Sequence, residues 1–138
     1  MSVLADIYIS RNDDAVKYDA APEAFTERAE YKGITPLELS MLWAIMRGVE
    51  WDVASMDEFP CLLAIDGGER LIHRLPAAMA SDLALLSPDR ITSVTSAWAA
   101  TEELSCSPED IRPVLDDLVR LSRRAGETNQ SVHLWNCV

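Results

Sequence analysis

Val3, Ala5, Ile7 and Ile9 alternate with Leu4, Asp6, Tyr8 and Ser10. A period of two predicts a strand with a buried face, because successive side chains on a strand point to opposite sides. Arg11 to Asp14 breaks the pattern with polar turn formers. Residues 15–33 show no clear period; Pro22 and Glu23 can open a short helix carrying Phe25 and Ala29 towards Gly33. A stronger signal follows at Thr35-Pro36-Leu37-Glu38, a capping box with proline at the first helical position and Ile34 and Leu39 at the staple positions. Leu39, Leu42, Trp43, Ile45 and Met46 then make the helix apolar over most of its circumference up to Gly48, which predicts a central position.

Residues 49–60 lose periodicity: Glu50, Asp52, Asp57 and Glu58 surround Trp51, Met56 and Phe59. Residues 61–65 and 70–75, separated by Asp66-Gly67-Gly68-Glu69, predict a hairpin, with a short helix over 59–65 as the rival reading. In the second strand Leu71, His73 and Leu75 share one face, and Arg70, Ile72 and Arg74 the other. Pro76 opens an alanine-rich helix ending near Leu85 or Leu86. Ser87-Pro88 starts another, with Ile91, Val94, Thr95 and Trp98 on its inner side. Ser107-Pro108 starts the longest. Ile111, Val114, Leu115, Leu118, Leu121, Ser122 and Ala125 form one stripe at helical spacing, Pro113 predicts a kink or a first turn that is not α, and Gly126 predicts the stop. Val132 and Leu134 alternate with His133, Trp135 and Cys137, and the apolar character of both sets predicts an interior strand.

These elements predict one α+β domain over residues 1–138: a small mixed β-sheet, its N- and C-terminal strands paired, packed against four or five helices.

Composition narrows the function classes. The net charge is −11. Such a field repels nucleic-acid phosphates and steers a basic partner, although acidity also serves solubility alone. No apolar run is long enough to span a bilayer, and the N-terminus lacks the basic and continuously apolar regions of a secretory signal. A cytoplasmic location is expected. Cys61, Cys106 and Cys137 are odd in number and widely spaced, which predicts reduced thiols, with Cys61 and Cys137 as buried strand residues.

Chemistry-bearing patterns are sparse. All five glycines fall at turns or helix ends, leaving none for a phosphate-cradling loop. The paired acids Asp13-Asp14, Asp57-Glu58, Glu102-Glu103 and Asp116-Asp117 read as solvated surface. Cys106 lies among Glu102, Glu103, Glu109 and Asp110, which disfavours a thiolate. No catalytic residue, metal ligand or cofactor is predicted. Two candidate sites stand out. The first is the acidic-aromatic segment with Trp51, Asp52, Asp57, Glu58 and Phe59, as a recognition surface; burial of Trp51 and Phe59 in the core is its plain alternative. The second is a pocket lined by His73 and His133, as a small-molecule site or a small hydrolase centre.

The segments LELSMLWAIMRG, RLIHRLPAAMASDL and LVRLSRRAGETNQSVHLW resemble the YfbM-type family of small bacterial proteins in layout over residues 35–138. The N-terminal strand and the acidic stretch 11–33 depart from that family's pattern. The resemblance implies an α+β fold and carries no activity or site residues. Together these readings favour a small acidic protein that binds a basic protein partner, as an inhibitor, an immunity-type protein or an adaptor. It is expected to be a monomer or a homodimer, with no nucleic-acid or membrane partner.

Overall fold

The alternating segments at the two ends of the chain become neighbouring strands. In the computed structural model, which describes residues 3–138, β1 (Leu4–Ser10) and β5 (Ser131–Cys137) pair antiparallel from Leu4 opposite Cys137 to Ser10 opposite Ser131. β2 (Arg28–Lys32) adds outside β1, β4 (Arg70–Arg74) outside β5, and β3 (Cys61–Ile65) outside β4, giving the order β2-β1-β5-β4-β3. Every pairing is antiparallel, where a mixed sheet was expected. The connections explain this. Residues 11–27 return the chain from β1 to β2, a short turn joins β3 to β4, and the helices after β4 bring the chain back to the end it left, so that β5 begins beside the end of β4 with His133 opposite Arg74. Both faces of β5 are apolar because it is the middle strand.

Residues 15–33 hold no α-helix. They form two short 3₁₀ turns, Ala15–Asp19 and Pro22–Ala24, before β2. Arg28, Glu30 and Lys32 alternate there with Ala29 and Tyr31, a period of two that competes with the helix start suggested by Pro22. Helix α1 (Pro36–Arg47) starts on the predicted capping box: the Thr35 N–H donates to Glu38 Oε1 at 2.8 Å, and Thr35 Oγ1 accepts from Leu37 N at 3.3 Å. It ends at Gly48, whose φ of 68° is left-handed.

Helix α2 (Ala77–Ala84) and α3 (Pro88–Ala99) lie where the sequence places them, with Ser87 Oγ accepting from Arg90 N at 3.2 Å. Helix α4 (Pro108–Thr128) runs unbroken through Pro113 and through Gly126, which does not end it. The stop is Asn129, in the left-handed region at φ 54°, with its N–H on Ala125 O.

The main core lies between the helices and one face of the sheet. Ala5, Ile7, Ile9, Val132 and Leu134 meet Leu39, Leu42, Leu115, Leu118 and Trp98 there. The Trp98 indole N–H donates to Glu38 O at 3.0 Å, tying α3 to α1. A second cluster of Tyr8, Tyr18 and Ile72, flanked by Phe25, Leu62, Leu63 and Trp135, covers the other face. The three cysteines are free. Cys61 is exposed and Cys137 partly buried, correcting the expectation that both are core residues: Cys61 opens an edge strand and Cys137 ends β5. Among the described residues no helix is long and apolar enough to cross a membrane.

Candidate functional site

The chain leaves α1 at Gly48 and exposes a run of apolar side chains: Val49 at 54 %, Trp51 at 38 % and Val53 at 66 % of their full surface. Apolar side chains this exposed stand out when they are neighbours rather than scattered. The Trp51 indole N–H donates to Ser40 Oγ at 2.9 Å, and the buried Ser40 hydroxyl in turn donates to Leu37 O at 2.7 Å. One edge of the ring is thus fixed to α1 while part of its surface faces water. Asp52 Oδ1 accepts from Ala54 N at 2.9 Å and caps the 3₁₀ turn Val53–Glu58. Glu58 lies 3.9 Å from Arg47, whose guanidinium sits 4.5 Å above the Trp43 ring. Asp57 is exposed and has no ion-pair partner among the described residues.

Phe59 does not belong to this surface. It is 3 % exposed and packs in the helix-side core. The pattern could not separate the two aromatics, since both lie in an aperiodic acidic stretch. The structure therefore keeps Trp51, Asp52, Asp57 and Glu58 together on one short exposed segment and removes Phe59. It adds Val49 and Val53, whose sequence signal was their spacing of two on either side of Trp51.

His73 and His133 do not share a pocket. His73 stands opposite Leu134 and His133 opposite Arg74, so adjacent register positions place them on opposite faces of the sheet. His133 is fully buried. Its ring stacks on Tyr8 with centroids 5.4 Å apart, its Nδ1 is 3.5 Å from Ser10 Oγ, and its Nε2 accepts from Arg74 Nε at 3.4 Å. Burial first, and then the Arg74 charge, push its pKa down to about 4. A neutral imidazole held among an aromatic ring, a hydroxyl and a guanidinium is a packed structural group. His73 has its pKa lowered by burial and its Nδ1 lacks a hydrogen-bond partner. Neither histidine lines the cleft of about 370 Å³ beside Ser10 and Arg124 or the one of about 390 Å³ between α2 and α4.

The sequence reading missed the polar network on the second face. Tyr18 donates to Asp6 Oδ2 at 2.7 Å and accepts from Arg28 Nη1 at 2.9 Å. Trp135 Nε1 and Arg70 Nε both donate to Asp19 Oδ1, each at 2.9 Å. Burial raises the Asp6 pKa, opposed by the Tyr18 hydrogen bond. These groups are consumed by one another, which makes the network a means of holding residues 15–24 against the sheet. Among the described residues no three His, Cys, Asp or Glu side chains are placed to hold a metal ion. Comparison with known proteins finds no matching family model, no matching curated protein and no matching solved structure.

Proposed function

We propose that this protein acts by binding a basic protein partner through residues 49–58, in the manner of a stoichiometric inhibitor, an immunity-type protein or an adaptor. The observation that carries this reading is the company Trp51 keeps. An anchored, partly exposed indole lies between two exposed valines in sequence, and the same segment carries Glu50, Asp52, Asp57 and Glu58 with no cation of its own; Arg47 and Arg90 stand at the end of α1 beside it. Tryptophan held rigid at a partly apolar patch is the residue type that dominates binding energy at protein interfaces. The carboxylates supply the long-range attraction that speeds encounter with a cationic surface. The net charge of −11 acts in the same sense.

The test uses a synthetic eight-residue peptide with four central valines and two lysines at each end, with the same peptide carrying glutamate in place of lysine as its control. The lysine peptide is expected to bind, to weaken as salt is raised, and to lose about tenfold or more in affinity to Trp51→Ala, as expected for removing a hot-spot indole. Binding that ignores salt, or that Trp51→Ala leaves unchanged, would sink the reading.

A further inference from the structure

The two edges of the sheet are built differently. β2 carries Arg28, Glu30 and Lys32, and charged side chains of this kind keep an edge from pairing with another chain. β3, at the opposite edge, reads Cys-Leu-Leu-Ala-Ile, with neither charge nor proline.

The hydrogen-bond alternation shows which β3 groups are free. Leu75 N donates to Val132 O at 3.0 Å, so in β4 the backbones of Leu71 and His73 turn towards β5, and those of Arg70, Ile72 and Arg74 turn towards β3. Arg74 N on Pro60 O at 3.1 Å agrees. Leu63 stands opposite Ile72 and Ile65 opposite Arg70, so both turn inward. Ala64, between them, directs its N–H and C=O away from the sheet, and it is exposed. The helix layer packs on β1, β2 and β5.

Acids bracket this uncharged edge. Asp57 and Glu58 precede it, and Asp66 and Glu69 follow it. Asp66 is held by Arg70 at 3.0 Å, whereas Asp57 and Glu69 have no ion-pair partner among the described residues. A second copy paired antiparallel would bring each chain's leading acids up to the other's trailing acids, a like-charge juxtaposition. An extended segment that is apolar in its middle and basic at its ends meets no such penalty. The edge also continues directly from the 3₁₀ turn that carries Asp57 and Glu58.

We infer that the partner adds such a segment to β3 as a sixth strand, with backbone bonds to Ala64 and basic side chains reaching the flanking carboxylates. This rests on the acidic-surface reading above and specifies how the partner is held.

Amide hydrogen exchange on the whole protein, with and without the valine–lysine peptide, tests it. The Ala64 amide is expected to exchange fast in the free protein and to slow at least tenfold at saturation, while Leu63 and Ile65, already bonded to β4, change little. Ala64→Pro removes only the outward donor, a substitution edge strands accept, and is expected to weaken the peptide at least tenfold. Should that variant fail to fold, the exchange measurement on the unaltered chain decides. A peptide that binds and depends on Trp51, yet leaves Ala64 unprotected, overturns the edge inference and spares the surface. Absence of lysine-peptide binding overturns both. Protection of Ala64 that grows with protein concentration alone makes β3 a seam between two copies and overturns the heterologous partner.

Discussion

On its helix side the sheet presents Ala5, Ile7, Ile9, Val132 and Leu134; on its other side β1 and β5 present Tyr8, Ser10, His133 and Trp135. The first face is covered by helices with apolar stripes, so apolar area makes most of the contact, with the Tyr31 hydroxyl on Asp117 as a directional bond from β2 to α4. The second is covered by the 3₁₀ turns of residues 15–24 and the Phe25 ring that follows them, too short a stretch to offer a stripe. Rings with polar tips replace it. Tyr8 and Tyr18 stack at 4.1 Å, and each tip is satisfied: Tyr8 on Ala15 O at 2.7 Å, Tyr18 on Asp6, Trp135 on Asp19. Aromatic area supplies burial, and the hydrogen bonds fix irregular backbone that propensity would leave loose. Stability should therefore come from volume on one face and from protonation and bonding on the other.

The largest effect tests the helix side. Trp98 is fully buried, and Trp98→Ala should cost about 3–5 kcal/mol, the range for deleting a large core aromatic. Urea unfolding should show the same loss at pH 7.5 and at pH 5, since no titrating group changes with it. A loss that varied strongly with pH would break the contrast between the faces.

The second face should supply the pH dependence. The His133 pKa is about 4 in the folded protein, against about 6.5 for an unperturbed imidazole. Above about pH 6.5 both states are neutral there and its contribution is complete. As the pH falls from about 6.5 to about 4 the unfolded chain takes up the proton first, and about 3 kcal/mol of stability is lost. Burial lowers the pKa of His73 too; it stands opposite Leu134 on the helix side and adds a contribution of the same sign from that face, so the His133 share is the part that a His133 variant removes. Asp6 acts oppositely: its raised pKa favours the folded state as the pH drops through that value. His133→Gln, which keeps an acceptor for Arg74 and cannot titrate, should flatten the urea midpoint between pH 7 and 4.5. An undiminished slope would show that His133 is not its source.

The contrast also explains what could be read beforehand. Helix starts at Thr35 and Ser87 were legible because a cap and a proline act within one turn of backbone; at Ser107, which makes no side-chain cap bond, Pro108 at the first helical position marks the start. The pairing of the terminal strands was legible because they carry the two clearest alternating patterns in the chain, the C-terminal one apolar on both faces as an interior strand requires. The cover of the second face was not, because it depends on bonds such as Trp135 to Asp19, 116 residues apart, which leave no local period. The same range limit separated the candidate residues. Trp51 and Phe59 sit alike in sequence, and only tertiary packing sends one inward. The faces of His73 and His133 depended on how β4 registers against β5, and one residue of shift exchanges them.

The smallest effects concern backbone freedom. Gly126 lies inside α4 on the helix side, and a Cβ added there meets no atom within 4 Å. Gly126→Ala should stabilise by about 0.5–1 kcal/mol, because alanine loses less conformational entropy on entering a helix. Gly67, in the β3–β4 turn, has φ +70° with equally open space around it. Gly67→Ala should instead cost about 1–2 kcal/mol, the penalty of left-handed backbone for a residue with a Cβ. With sterics absent at both sites, opposite signs in thermal unfolding would isolate backbone conformation as the cause. Two losses would mean that helix propensity at Gly126 adds no stability, and two gains would mean that the left-handed turn at Gly67 accepts a Cβ without penalty.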